Sequence, residues 1–254
     1  LQVIYVDVDA QVGGGGTSWN SSFIHLQDAL AAINFPNVTI YNVTILEFDF
    51  IAQSETMAFN YVFGSMEYTG YTCSPSYNDI FGFFLSGPGI SGPYSNDAIN
   101  IALVPEPEGA SDYEEWLDIN TGIYTTTPVA INSINSGTAS GWNDACEPVD
   151  PNWESYNIFW YDNDYGVVQG PNDPPEPEFT VEGLTGFTVP LTAEYDNLIC
   201  GETYHIKLAI ADASDYGLNS VVFLDANSFA SPEVDISTVP NTELGLVLDV
   251  ENGV

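Results

Sequence analysis

The feature that most restricts the fold of this chain is a set of segments in which apolar and polar residues alternate. In TYHIKLAIADA (203–213), Tyr204, Ile206, Leu208 and Ile210 occupy every second position. The same period recurs in LEFDFIA, MAFNYVFGSM, INIALVP, SVVFLDANSF and LGLVLDV. A period of two places alternate side chains on opposite faces of a β-strand. Because Gly, Pro, Asn and Asp separate these segments, the sequence predicts an all-β fold, an antiparallel β-sandwich of the jelly-roll or lectin-like kind.

One stretch of the sequence departs from this alternation. In TSWNSSFIHLQDALAAINF, Phe23, Leu26, Leu30 and Ile33 recur at the spacing of one helical face. This spacing predicts one short N-terminal helix from about Phe23 to Ile33. Four consecutive glycines at 13–16 precede it, and such a run suits a hinge because glycine restricts the backbone least.

These patterns divide the chain into four predicted segments. Residues 1–12 form an N-terminal strand, and residues 13–45 hold the glycine hinge, the short helix and a connection. Residues 46–232 form the β-sandwich, and residues 233–254 form a C-terminal strand or tail. The first strand, LQVIYVDVDA, has apolar residues on both faces, so it requires burial either in its own sandwich or in that of a neighbour.

The charge of the chain excludes several classes of function. There are 36 acidic residues and a single basic one, Lys207, for a formal net charge of −35. Binding to nucleic acid or to anionic lipid depends on Lys and Arg, so neither is expected. A phosphate-handling active site would lack its usual cations. No apolar run reaches the roughly 20 residues that span a bilayer, so membrane insertion is not expected either.

The cysteines indicate an exported protein. Cys73, Cys146 and Cys200 are far apart and form no CxxC pair, so a zinc site is not indicated. One disulfide and one buried thiol is the simplest arrangement for an exported chain. The spacing does not decide which two cysteines pair. The start of the chain, LQVIYV, is typical of a mature N-terminus after processing.

The residues that catalyse hydrolysis or group transfer are scarce. The two histidines, His25 and His205, accompany no G-x-S-x-G segment and no Cys–His arrangement. The sequence therefore predicts a protein that is not an enzyme. Glycoside hydrolysis stays open as an alternative, because it needs only two carboxylates and the aromatic segment YNIFWYDNDYG could stack on sugar rings.

A calcium site is better supported than a catalytic one. Calcium takes six to eight oxygen ligands from carboxylates, amides and backbone carbonyls. The candidate ligands are Glu67, Asn78, Asp79, Asp212 and Asp215, each beside an apolar strand. Asn and Asp also cap turns without binding a metal, and that alternative stays open. If the strands are neighbours, the acids meet at one end of the sandwich, where their repulsion favours a structural calcium ion.

Several motifs resemble those of a known family. They are FDFIAQSETMAFNYVFGSMEYTGY, NDIFGFFLSGPGI, NIALVP, PVAINSIN and TYHIKLAIADASDYGLNSVVFLDANSF. From about residue 46 to residue 231 the chain resembles the choice-of-anchor L domain. The resemblance implies an extracellular β-sandwich of surface or secreted proteins, usually without enzymatic activity. The family's E-Y glutamate falls on Glu67, its N-D pair on Asn78 and Asp79, and its A-D-A-x-D acids on Asp212 and Asp215. Before that range, the N-terminal segment is similar to the start of secreted parallel β-helix proteins, although no solenoid repeats follow.

Three functions follow from these expectations. The first is a structural subunit of a bacterial surface fibre or filament that self-assembles by β-strand addition, which the terminal strands LQVIYVDVDA and ELGLVLDV favour. The second is a calcium-dependent, lectin-like adhesive domain that binds surface glycans. The third is a glycoside hydrolase. All three place the protein outside the cell or on its surface.

Overall fold

A computed structural model confirms that the chain is an all-β protein built from antiparallel sheets. The predicted helix at about 23–33 and the candidate ligand Asp215 lie outside the residues that the structure describes. The described residues are 2–4, 40–68, 70–139, 145–163, 183–213, 217–225, 228–229, 235–241 and 245–251.

Short strands dominate the described chain. In chain order they are β1 (Gln2–Ile4), β2 (Ile40–Ile51), β3 (Met57–Ser65), β4 (Ile80–Ser86), β5 (Ile99–Asn100), β6 (Leu103–Pro105), β7 (Tyr124–Pro128), β8 (Trp160–Asp162), β9 (Gly186–Thr188), β10 (Leu191–Tyr195), β11 (Thr203–Ala213), β12 (Ser220–Leu224), β13 (Asp235–Asn241) and β14 (Gly245–Glu251). The described helices are α1 (Tyr113–Ile119) and the 3₁₀ helices Ser95–Asp97 and Trp153–Phe159. None of them is long and apolar enough to cross a membrane.

Two of the sheets pack face to face as a sandwich. Sheet A has the strand order β1-β12-β3-β9-β8, and β10 also pairs with β3. Sheet B has the order β2-β11-β4-β5. Phe59 and Phe63 of β3 share one apolar core with Phe83 of β4 and Leu208 of β11, so this core lies between the sheets. The pairs β6–β7 and β13–β14 are separate two-stranded sheets.

Strand β4 is buried on both faces, which explains its unusually apolar sequence, IFGFFLS. Phe81, Phe83 and Leu85 belong to the core between the sheets. Ile80 and Phe84 belong to a second apolar cluster, against the opposite face of sheet B. Each buried side chain of this size contributes about 1.5–3 kcal/mol, so a strand covered on both sides is stabilised by apolar residues at most of its positions.

Two glycines of the segment GFFLSGPG are required by neighbouring aromatic rings. A Cβ atom at Gly82 would lie 2.5 Å from the ring of Phe84. A Cβ atom at Gly87, where φ is +150°, would lie 2.5 Å from the ring of Tyr204. The hydroxyl of Tyr204 also donates to the carbonyl oxygen of Pro88 at 2.8 Å. The turn after β4 is thereby held against β11.

The structure resolves the cysteine pairing that the sequence left open. Cys73 and Cys146 form a disulfide. The prediction that the third thiol is buried was wrong: Cys200 is exposed, because it lies in the connection between β10 and β11. The bridge joins residues 73 positions apart. In the chain-entropy account, closing a loop of that length stabilises the fold by about 4 kcal/mol.

Candidate functional site

Three of the five predicted calcium ligands come together inside the sandwich. Glu67 follows β3, Asp79 precedes β4, and Asp212 lies near the end of β11. All three are buried, and Asp79 is only 1% exposed. The backbone N–H of Asp79 donates to Oε2 of Glu67 at 3.3 Å. We refer to Glu67, Asp79 and Asp212 as the acid trio.

Alternation along β11 explains why Asp212 is buried. Ile206, Leu208 and Ile210 all belong to the core between the sheets. Asp212 is the next residue in this period of two, so it lies on the same inner face of the sheet. The strand pattern that forms the core therefore also carries a carboxylate to the end of the core.

Asp79 links the two sheets through its carboxylate. Its Oδ1 accepts from the backbone N–H of Ala213 in β11 of sheet B at 3.2 Å. Its Oδ2 accepts from the hydroxyl of Ser220 in β12 of sheet A at 2.5 Å. One side chain thus holds together strands that belong to different sheets.

The electrostatic environment of Asp79 favours its neutral form. Burial raises the pKa of Asp79 well above its ordinary value, and repulsion from Glu67 and then Asp212 raises it further. The hydrogen bonds from Ser220 and from the Ala213 N–H act in the opposite direction. Ionisation of Asp79 therefore costs free energy unless a positive charge compensates it.

The basic side chains of the described residues are engaged elsewhere. Nζ of Lys207 lies 3.2 Å from Oε2 of Glu47. Nδ1 of His205 lies 2.7 Å from Oδ1 of Asp49. Both pairs join β11 to β2, and they occupy the strand positions that alternate with those of the inward series leading to Asp212. Neither of these two side chains is among the groups that act on the Asp79 carboxylate.

Tyr68 lies near the acid trio and is also buried. Burial, and then the charge of Asp79, raise the pKa of Tyr68 above its ordinary value. Its hydroxyl has no hydrogen-bond partner among the residues that the structure describes. Sequence analysis did not select Tyr68, because a tyrosine in a strand-rich chain is normally a packing residue.

Asn78 contacts a different part of the molecule. Its Oδ1 accepts from the backbone N–H of Asn132 at 2.8 Å. Asn132 in turn accepts from the Cys73 N–H at 2.8 Å and donates to the Ser74 carbonyl at 3.1 Å. Asn78 therefore joins the PVAINSIN segment to the loop that carries the disulfide. This contact gives it a structural role independent of any metal.

The described residues do not include a complete metal centre. In that part of the chain, no group of three or more His, Cys, Asp and Glu side chains could hold a metal ion. Asp215 lies outside it. Protein donors already contact both carboxylate oxygens of Asp79. Calcium binding at Glu67, Asn78, Asp79, Asp212 and Asp215 thus stays a prediction.

A second buried carboxylate, which sequence analysis missed, has a simpler environment. Oδ2 of Asp150 accepts from the hydroxyls of Thr127 at 2.5 Å and Tyr156 at 2.8 Å. Its Oδ1 accepts from the Asn152 N–H at 2.8 Å. Asp150 thereby fixes β7 to the start of the 3₁₀ helix Trp153–Phe159. Its sequence context, VDPNW, gives no sign of this role beyond an ordinary turn.

Comparison with known proteins identifies the family. Searches of curated proteins and of solved structures find no match for the chain. The family model described as the choice-of-anchor L domain matches residues 7–230, most of the chain. The match begins well before residue 46, so most of the segment that resembles the start of a β-helix protein falls within it. The chain belongs to the choice-of-anchor L domain family, and this membership places it among cell-surface or extracellular proteins.

Proposed function

We propose that this protein is a non-enzymatic subunit of a bacterial surface fibre or filament, assembled by β-strand addition. The observation that carries the proposal is the position of β1. Gln2–Ile4 pairs with β12 at the edge of sheet A, yet it precedes the family-matched range, which starts at residue 7. The strand at this edge therefore lies before the matched range, although it pairs with β12 of the same chain.

A strand of this kind can pair with its own domain or with a neighbour. The sequence places four glycines at 13–16, between this strand and the rest of the chain. The pairing within one chain involves the three residues of β1. In a filament, the same strand would pair with the next subunit, and because that contact is head-to-tail it repeats without closing.

The charge of the protein also favours this mode of association. With a formal net charge of −35, two copies repel each other across most of their surfaces. Strand addition takes its affinity from main-chain hydrogen bonds and from apolar side chains. Neither source depends on charge complementarity, so subunits that repel each other can still be joined through one strand.

Deletion of residues 1–10 tests the proposal. We expect the full chain to form filaments in negative stain and the truncated chain to remain a folded monomer. A synthetic peptide of residues 1–10 should bind the truncated chain, whereas a scrambled peptide of the same composition should not. A truncated chain that unfolds, or that still forms filaments, would contradict the proposal.

An adhesive, lectin-like role is a second candidate that one observation favours. Tyr161 of β8 is 48% exposed. Its ring stacks on that of Phe187 with centroids 5.0 Å apart and an interplanar angle of 13°. An exposed aromatic pair can stack on the apolar face of a sugar ring. Binding on a glycan array that is lost in Tyr161→Ala and retained in Tyr113→Ala would support this role.

Glycoside hydrolysis is the candidate with the least support. It needs two carboxyl groups that flank a sugar in an accessible site, whereas the acid trio is buried. We therefore expect no release of reducing sugar from common polysaccharides. Release that disappears in Glu67→Gln would overturn this expectation.

A further inference from the structure

The edge of sheet A next to β12 adjoins an opening in the core. β12 spans Ser220–Leu224, and β1 is paired to Val222, Phe223 and Leu224. Beside Val222 there is a small apolar groove between the two sheets. Its lining includes Thr44, Leu46, Phe81, Leu208, Ile210 and Val222. We refer to this groove and the adjoining edge of β12 as the β12 cleft.

The groove opens beside the part of β2 that the ring of Phe229 does not cover. Phe48 and Phe50 of β2 pack edge-on against the ring of Phe229, at centroid distances of 5.6 and 5.2 Å. Leu46 precedes them in the same period of two, yet it is 39% exposed. An inward position of β2 is thus still accessible at this level of the sandwich.

We infer that the β12 cleft is the acceptor site for the N-terminal strand of a second copy of this chain, which replaces the chain's own β1 along β12. The inference rests on the proposed function and specifies its contact. The register pairs Ile4 with Val222 and Gln2 with Leu224. In this register Ile4 is opposite Val222, which lines the groove.

The sequence of the strand suits the full length of β12. In the same register, Tyr5 would pair with Val221 and Val6 with Ser220. Gln2, Ile4, Val6 and Val8 occupy every second position of the strand, and all but Gln2 are apolar. Five paired residues of a donated strand would cover β12 from Leu224 to Ser220.

Charge distinguishes β12 from β2, the edge strand of sheet B. The sequence of β12, SVVFL, contains no charged residue. Strand β2 carries Glu47 and Asp49, and the side chain of Asp49 is 68% exposed. The N-terminal strand itself contains Asp7 and Asp9 and no basic residue. Like charges on adjacent strands repel, so the strand should select β12 over β2.

Crosslinking between two single-cysteine variants tests the inference. Val3→Cys and Phe223→Cys, each made with Cys200→Ser, are directly opposite each other in the register. The two proteins are refolded together and treated with a short bis-maleimide, which leaves the Cys73–Cys146 disulfide intact. We expect a covalent dimer of one variant with the other on a denaturing gel. The matched control mixes Val3→Cys with Glu47→Cys, which should give no such dimer.

The outcomes separate this inference from the proposed function. Filaments in negative stain together with the Val3–Phe223 crosslink support both. Filaments with the Val3–Glu47 crosslink, or with neither, overturn the β12 cleft as acceptor and leave assembly standing. If the mixture stays monomeric and the double variant Val3→Cys/Phe223→Cys crosslinks only within one chain, the proposed function is wrong and the inference falls with it.

Discussion

The two buried carboxylates Asp79 and Asp150 have similar exposure but opposite surroundings. Asp150 accepts two hydroxyl donors and one backbone N–H. Asp79 accepts one hydroxyl and one backbone N–H, and two further carboxyl groups repel it. A buried carboxylate is stable where donors surround it and costly where other charges of the same sign do. Asp150 is therefore a structural link, whereas Asp79 is where protons or cations should act on the fold.

The largest effect is expected at Asp150. Asp150→Ala leaves the hydroxyls of Thr127 and Tyr156 and the Asn152 N–H without their acceptor. Because hydrogen bonds to a charged group contribute about 1.5–3 kcal/mol each, we expect the free energy of unfolding to fall by about 4 kcal/mol. Urea denaturation measures it, and Asp118→Ala on the exposed side of α1 is the control. A loss below about 1 kcal/mol would show that Asp150 is not a structural link.

The second largest effect is expected from calcium, which should stabilise the protein through Asp79 and not through Asp150. A cation that binds only the folded protein stabilises it by about 2.7 kcal/mol at a concentration 100 times its Kd. We expect calcium to raise the melting temperature more than sodium at equal ionic strength, and Asp79→Asn to lose that difference. Asp118→Ala, at a site exposed to solvent, should keep it. An equal response to both salts would leave only general screening of the negative charge.

Asp79 should contribute to the pH dependence of stability. Its pKa is raised in the folded state, so the folded protein retains a proton that the unfolded chain releases above pH 4 or so. Without calcium, the free energy of unfolding should be highest below that pH and fall as the pH rises through the folded pKa of Asp79. The expected loss is about 1.4 kcal/mol for each unit by which the folded pKa exceeds the unfolded one.

Asp79→Asn isolates this contribution from the repulsion among all the other acids. The amide retains an oxygen for the Ala213 N–H but does not ionise. Its stability curve against pH should therefore be flatter than that of the wild type, and above pH 7 it should be the more stable protein in the absence of calcium. Parallel curves for the two proteins would show that Asp79 does not titrate differently in the folded state.

How much of the fold and of the candidate site could be predicted from the sequence depends on how far apart along the chain the interacting residues lie. Alternation within β11 predicted the core face, and because Asp212 continues it, convergence of the acids could be expected. Asn78 and Asn132 interact across 54 positions, and no local pattern connects them. Asp150 was missed because its partners Thr127 and Tyr156 come from different elements. The disulfide could not be predicted either, because three cysteines allow three pairings and only the fold brings Cys73 to Cys146.

The smallest and sharpest comparison uses one hydroxyl from each site. Tyr156→Phe removes a donor to Asp150, so we expect it to lower the free energy of unfolding by about 1.5 kcal/mol or more. The Tyr68 hydroxyl has no partner among the described residues, so Tyr68→Phe removes a buried polar atom without breaking a bond seen there. It should change stability by less than about 0.5 kcal/mol or increase it slightly. Urea denaturation of both variants at pH 7, with and without calcium, completes the test.

A Tyr68→Phe loss as large as that of Tyr156→Phe, seen only with calcium, would mean that the Tyr68 oxygen takes part in binding the cation. The same loss without calcium would mean that the hydroxyl donates to the acid trio, and the contrast between the two carboxylates would then be smaller than their described contacts indicate.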